Sequence, residues 1–193
     1  MNSVIGINGS IHPLYSGAYI ENRSLGILHL PKNASSSIRR ALKPITNKTE
    51  VILKDFNIDK FCVILRDPVE RFISAVNMYL HNRNFSSYSN YVDIRKEDNK
   101  HSIFKSNNAH FFSQNTFLEG LDYNKIDFFW LNKDIIGDLN SHYNLNMEPS
   151  HVNRFGKIVT GVDINIVKDV YKEDYDLIDS VKFINKVDNG NIS

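Results

Sequence analysis

The sequence has little of what a disulfide scaffold, a membrane protein or a nucleic-acid binder needs. It contains one cysteine, Cys62, so no disulfide can form within the chain, and the apolar surroundings "FCVIL" predict a buried thiol. No stretch approaches the roughly 20 apolar residues that span a bilayer, and the first residues show no basic and apolar leader. The formal net charge is only +1. We therefore expect a soluble, cytoplasmic protein without stable membrane insertion or a nucleic-acid partner, in which any anion site is local.

The length and composition are those of one globular domain. The chain has 193 residues, of which 41% are hydrophobic and 23% are charged. It shows no internal repeat and no domain linker. We predict a single domain over residues 1–193, with a frayed tail at residues 186–193.

Strand, turn and helix patterns follow one another twice in the first half of the chain. Residues 25–30 and 60–65 are short apolar runs, and each leads through a polar turn into a helical pattern. After the second run, Asp67 can cap a helix that starts at Pro68, with Glu70 at the capping-box spacing. Further apolar runs cover residues 126–131 and 164–183, with a helical pattern at 133–143. The predicted fold is α/β, with a central parallel sheet flanked by helices in a P-loop-like nucleotide-binding topology.

The turn in "ILHLPKNASSSIRR" is a candidate anion site. A strand that opens onto a helix points unpaired N–H groups and the positive end of the helix dipole at one place. Lys32 adds an ammonium group, and Ser35, Ser36 and Ser37 add hydroxyl donors. The loop does not match G-x-x-x-x-G-K-[ST]. The alternative interpretation is a serine-rich helix cap beside a solvated lysine.

A second candidate anion site lies in "VILRDPVERFISAV". Arg66 ends the apolar run and Ser74 lies on the following helix, so a guanidinium and a hydroxyl could hold another phosphate. The alternative is a local pair between Arg66 and Asp67, with an exposed helix serine. Two anion subsites together predict a doubly charged ligand.

The two motifs together resemble a known enzyme family. "HLPKNASSSI" followed by "RDPVERFISAV" is similar to the carbohydrate (Golgi-type, family 2-like) sulfotransferases, which use 3′-phosphoadenosine 5′-phosphosulfate (PAPS). In that family P-K-[TN]-[AG]-[GS]-[ST]-[ST] cradles the 5′-phosphosulfate and R-D-P-x-x-R-x-x-S holds the 3′-phosphate. The resemblance implies that the 3′-phosphate is bound by Arg66 and Ser74. It implies that the 5′ site is formed by Lys32, Asn33, Ala34, Ser35, Ser36 and Ser37.

Three weaker segments extend the resemblance over about residues 25–178. They are "HFFSQNTFL", with His110 and Gln114, "SHVNRFGK", with Asn153, and "VYKEDYDLI", with Asp174 and Tyr175. The chain departs from the family at Val76, where an aromatic residue is frequent, and it lacks the N-terminal membrane anchor of Golgi members. The difference at Val76 is conservative, whereas the missing anchor favours a bacterial, viral or otherwise cytosolic version of the enzyme.

The resemblance implies transfer of a sulfuryl group from PAPS to a hydroxyl, with a carbohydrate or glycolipid as the expected acceptor. Lys32 would stabilise the leaving oxygen, and no metal is required. Several sulfotransferases place a histidine or glutamate base between the two anion motifs, but this chain has no histidine between residues 33 and 65. His110 is the candidate base and Glu50 its rival. The remaining histidines show no zinc-ligand spacing.

Three other functions stay open. The chain could be a non-catalytic binder of PAPS, of its desulfated product PAP or of a related nucleotide, a P-loop kinase or triphosphatase, or an α/β interaction domain without a nucleotide. The aromatic and basic region 82–108 could bind a sugar or could be a solvated insertion. Neither the acceptor nor the oligomeric state can be inferred from the sequence.

Overall fold

The structure, a computed structural model, describes residues 3–5, 11–13, 15–82, 109–149 and 163–185. The chain divides into two compact units. The sheet unit contains Tyr15–Arg66, Gly120–His151 and Ser180–Ser193, and the helical unit contains Met1–Leu14, Asp67–Glu119 and Val152–Asp179. The single domain over residues 1–193 stays a prediction. The predicted frayed tail at 186–193 lies outside the described residues.

Seven strands and five α-helices form in the described part of the chain. The strands are β1 (Ser3–Ile5), β2 (Ile11–Pro13), β3 (Ser16–Ile20), β4 (Leu25–Leu28), β5 (Val51–Ile52), β6 (Lys60–Leu65) and β7 (Ile126–Trp130). The helices are α1 (Ser35–Leu42), α2 (Pro68–Asn82), α3 (Ile135–Tyr143), α4 (Ile164–Val170) and α5 (Lys172–Ser180). Among these helices, none has both the length and the apolar character needed to cross a membrane.

The sheet unit contains a mixed five-stranded sheet in the order β5-β3-β4-β6-β7. Strands β4, β6 and β7 are parallel, whereas β3 is antiparallel to both β4 and β5. The predicted central parallel sheet is therefore wrong for one strand, β3. Only a short turn, with Ser24 in the left-handed region (φ 45°), joins β3 to β4. A connection this short reverses the chain, because parallel neighbours need a crossover of about a dozen residues.

The core of the sheet unit lies between the sheet and the helices α1 and α3. Cys62 is fully buried in it, which confirms the predicted buried cysteine. Burial raises the pKa of its thiol. Gly17 on β3 is required there, since a Cβ atom at this position would lie 2.4 Å from the carbonyl oxygen of Ile27. The other core side chains include Ile20, Leu25, Ile38, Leu42, Ile64, Phe129 and Leu139.

The helical unit is organised around α2. The carboxylate of Asp67 accepts a hydrogen bond from the N–H of Glu70 at 2.9 Å, so the predicted helix start at Pro68 is confirmed. Phe72 on the buried face of α2 packs against the rings of Phe111 and Tyr171, with centroids 5.9 Å and 6.3 Å away. In the same unit, β1 and β2 pair antiparallel.

Candidate anion-binding site

The loop of residues 29–34 and the residue Arg66 lie at the same edge of the sheet. The loop follows β4 and leads into α1, while Arg66 directly follows β6. Because β4 and β6 are parallel neighbours, their carboxyl ends meet at one edge. Ligands of open α/β sheets bind outside this edge.

The backbone of this loop has an unusual conformation. Lys32 (φ 70°) and Ala34 (φ 61°) both lie in the left-handed region, which costs a residue with a side chain about 1 to 2 kcal/mol. The strain must be offset by contacts elsewhere. Asn33 supplies one of them: its side chain is buried, and its Nδ2 donates a hydrogen bond of 2.8 Å to the carbonyl oxygen of Ile64 on β6. The backbone N–H of Asn33 donates to the carbonyl of Leu30 at 3.2 Å.

The start of α1 has no side-chain cap. Ala34 occupies the N-cap position, and its carbonyl accepts from the N–H groups of Ser37 and Ile38 at 2.9 Å and 3.0 Å. The N–H groups of Ser35 and Ser36 come before the first intrahelical bond, so no helical carbonyl can accept from them. A left-handed residue next to a helical one points successive N–H groups to one side and forms a concave anion site. Of the three serines, Ser36 is exposed, whereas Ser35 and Ser37 are half-buried.

Arg66 contributes a fixed positive charge to this loop. Its Nη1 donates a hydrogen bond of 3.2 Å to the carbonyl oxygen of Lys32. Both side chains are half-buried. The structure therefore brings together Lys32 and Arg66, which the sequence had placed in two separate anion motifs.

The other two predicted site residues belong to the helical unit. Ser74 is half-buried on α2, one turn after Arg71. His110 is half-buried in a 3-10 turn formed by Ala109–Phe111. Ser74 and His110 are thus part of a unit different from that of the loop.

Glu50, the rival base, forms an ion pair in the sheet unit. Its carboxylate contacts the guanidinium of Arg39 on α1, and its side chain is mostly exposed. Within the described residues, no group of three histidine, cysteine or acidic side chains could hold a metal ion.

His29 is a residue of this site that the sequence reasoning did not single out. It directly follows β4 as the first residue of the loop, and its Nε2 is buried without a hydrogen-bond partner among the described residues. Burial, and then the charge of Arg39, lower the pKa of His29 to about 4. The imidazole is therefore neutral at pH 7. Strand alternation with Ile27, a core residue, is the signal that could have indicated its burial.

Two of the three weakly matching segments contact each other in the helical unit. The Nε2 of Gln114 lies 3.4 Å from a carboxylate oxygen of Asp174, and both side chains are fully buried. Tyr175 is half-buried on α5, and burial, followed by the nearby carboxylate of Asp67, raises the pKa of its phenol. Asn153 and nearly all of the predicted acceptor region 82–108 lie outside the described residues.

Comparisons with family models, with curated proteins and with solved structures gave no match to this chain. The resemblance to sulfotransferases therefore depends on the motif residues themselves.

Proposed function

We propose that the protein is a PAPS-dependent sulfotransferase that transfers a sulfuryl group to a hydroxyl of a carbohydrate or glycolipid acceptor. The observation that carries the proposal is the loop after β4, in which Lys32 and Ala34 are left-handed and Arg66 donates to the carbonyl of Lys32 at 3.2 Å. A strained loop at a helix start, beside two cations, suits a ligand with several anionic groups. PAPS carries such groups at its 5′ and 3′ positions.

Each residue has a role in the proposed 5′ site. The N–H groups of Ser35 and Ser36 and the serine hydroxyls bind the 5′-phosphate and sulfuryl oxygens. The ammonium of Lys32 stabilises the negative charge that develops on the bridging oxygen. Asn33 holds the loop on β6 through its hydrogen bond to the carbonyl of Ile64. In this proposal the 3′-phosphate is bound by Arg66, with Ser74 as its second ligand.

The reaction is an in-line displacement at sulfur. A new bond forms between sulfur and the acceptor hydroxyl oxygen, the bond between sulfur and the bridging oxygen breaks, and PAP leaves with the electron pair. The hydroxyl proton passes to a base, for which we propose His110. As in phosphoryl transfer, positioning and charge stabilisation supply most of the catalysis.

Binding of PAP is the first test. Thermal shift is measured with PAP, with AMP and with ATP plus Mg²⁺, on the wild type and on Lys32→Ala and Arg66→Ala. At about 100 times the dissociation constant, PAP adds about 2.7 kcal/mol to the stability, which corresponds to roughly 5 to 10 °C. The matched control is Arg40→Ala, which removes one exposed positive charge from α1 and should leave the shift unchanged. Equal shifts with PAP and ATP, or none with PAP, would contradict the proposal.

Sulfuryl transfer is the second test. Radiolabelled PAPS is incubated with a panel of glycans and glycolipids, and the labelled product is counted. Lys32→Ala should lower kcat by about 100-fold or more, since it removes a donor to the transition state. A PAP-selective shift without turnover of any acceptor would favour the non-catalytic PAPS or PAP binder instead.

A further inference from the structure

Residues 111–115 of the helical unit, here called the clamped segment, are held by buried side chains from two other elements. The hydroxyl of Tyr171 donates to the carbonyl oxygen of Phe111 at 2.7 Å. Nη1 of Arg71 on α2 donates to the next carbonyl, that of Phe112, at 2.6 Å. Two consecutive carbonyl groups thus accept from side chains. Their positions depend on α2 and on the residue before α5.

Asp174 on α5 holds the rest of the clamped segment. One of its carboxylate oxygens accepts from the Oγ of Ser113 at 2.6 Å and from the N–H of Asn115 at 3.1 Å. The other oxygen faces the Nε2 of Gln114 at 3.4 Å. A carboxylate with three donors from three consecutive residues fixes both the path and the direction of the chain.

These contacts lie in the interior of the unit. Asp174 is 0% exposed, Arg71 is 1% exposed and Tyr171 is 2% exposed. Burial raises the pKa of the Tyr171 phenol, the charge of Arg71 lowers it, and the charge of Asp174 raises it, so the hydroxyl stays protonated as a donor. Moving the segment would break hydrogen bonds of a buried arginine and a buried carboxylate, which is costly in the interior. Small displacements of this segment are therefore strongly opposed.

His110 directly precedes the clamped segment. On its other side Ala109 is fully buried, so the backbone is enclosed before and after His110. Arg71 contacts this segment from the same helix that carries Ser74, one turn away. Through these contacts the position of the His110 backbone depends on α2, the helix that carries Ser74, a proposed phosphate ligand.

We propose that Arg71, Tyr171 and Asp174 are positioning residues that hold the clamped segment so that His110 keeps one orientation relative to α2. The inference rests on the proposed function in one respect, the role of His110 as the base. The three residues act through backbone and side-chain atoms of the clamped segment and do not touch the reacting groups.

The first experiment observes His110 directly and needs no activity. Protein labelled with ¹³C histidine is compared by NMR in the wild type and in Tyr171→Phe, which removes only the hydroxyl, with the His110 resonance assigned through His110→Gln. The matched control is Tyr19→Phe, since the Tyr19 hydroxyl donates to a backbone carbonyl, that of Asn57, in the sheet unit. We expect the His110 resonance to shift and broaden in Tyr171→Phe and to stay in place in Tyr19→Phe.

The second experiment is a double-mutant cycle on turnover. Tyr171→Phe should lower kcat by about 10- to 100-fold, since a small displacement of a reacting group has effects of this size, while the KM for PAPS stays within about threefold. In a His110→Ala background the same change should have no further effect on kcat. An equal fractional loss in both backgrounds would show a structural role only and would overturn the positioning role.

A milder variant covers the case in which Tyr171→Phe does not fold. Ser113→Ala removes a single donor to Asp174 and is measured in the same two experiments. If the wild type transfers no sulfuryl group to any acceptor, the proposed function fails while the positioning role is still decided by NMR. A His110 resonance that is identical in the wild type, Tyr171→Phe and Ser113→Ala would overturn the positioning role whatever the activity.

Discussion

The hydrogen bond from Asn33 to β6 predicts a measurable loss of stability in Asn33→Ala. The side chain is 2% exposed, and its Nδ2 lies 2.8 Å from the carbonyl oxygen of Ile64. Removing the donor loses about 1 kcal/mol, and a buried carbonyl left without this donor brings the total to about 1 to 3 kcal/mol. For a chain of this length, each kcal/mol lowers Tm by about 2 to 4 °C. We therefore expect Tm to fall by roughly 2 to 12 °C.

The same substitution should destabilise the conformation of the loop of residues 29–34, which contains part of the proposed 5′ site. The left-handed conformations of Lys32 and Ala34 are costly, and the contact made by Asn33 helps to hold them. Without it the loop samples other conformations, and the fraction that is competent to bind falls. We expect the dissociation constant for PAP, measured by calorimetry, to rise by about tenfold. This second expectation depends on the proposed function, whereas the change in Tm does not.

The assay needs a control for asparagine loss in general. Asn165→Ala on α4 changes an exposed side chain, so its Tm should stay close to that of the wild type. Asn33→Asp tests the direction of the bond, because an ionised carboxylate cannot donate to a carbonyl and a protonated one can. This variant should be less stable than the wild type at pH 8 and recover part of the difference at pH 4.5. An Asn33→Ala protein with unchanged Tm and unchanged PAP affinity would refute the reasoning.

Three further changes test the fold. Asp67→Ala removes the acceptor of the Glu70 N–H at the start of α2 and should lower the free energy of unfolding, measured with urea, by about 1 kcal/mol. An unchanged free energy of unfolding would mean that the cap is dispensable. Gly17→Ala brings a Cβ to 2.4 Å from the carbonyl oxygen of Ile27 and should cost at least about 2 kcal/mol; wild-type stability would contradict the close approach of β3 and β4. The pKa of His29 is lowered to about 4, so below pH 6.5 the unfolded chain binds more protons and stability falls as the pH falls. Between pH 7.5 and pH 5 we expect His29 to lower the free energy of unfolding of the wild type by roughly 2 kcal/mol. The His29→Gln variant should lack this contribution. An equal loss in both proteins would assign the acid sensitivity to other groups.

Elements with local signals were predicted well from the sequence. The run 60–65 is strand β6, and the helix starts at Pro68 as its cap indicated. The run 126–131 contains β7, and the helical pattern at 133–143 contains α3. These signals are apolar runs, a capping aspartate and a proline, all within a few residues of the element. Strand β3 was missed because its start, with Gly17 and Ala18, has no alternating pattern, and its pairing depends on β4 and β5. The mixed sheet follows from that pairing.

The site residues stay a prediction, and the conformation of the loop that carries Lys32 could not be read from the sequence. The sequence indicated an anion loop at Lys32 and the following serines, and the structure places that loop beside Arg66. Positive φ at Lys32 and Ala34 could not be predicted, since neither residue is glycine or asparagine. The contact of Asn33 with Ile64 was equally out of reach, because it requires knowing that β6 lies next to β4.

The two arginines of "RDPVER" show why a motif does not assign its own chemistry. Arg66 is half-buried after a strand and contacts the anion loop, while Arg71 is buried on α2 and donates to the carbonyl of Phe112. Charge alone predicts that both are exposed or bind a ligand. Loss of activity in Arg71→Ala would therefore be misread as loss of a phosphate ligand. A PAP affinity that stays unchanged in Arg71→Lys, together with a lower kcat, would show that Arg71 positions the chain, whereas a lost PAP affinity would show that it binds the ligand.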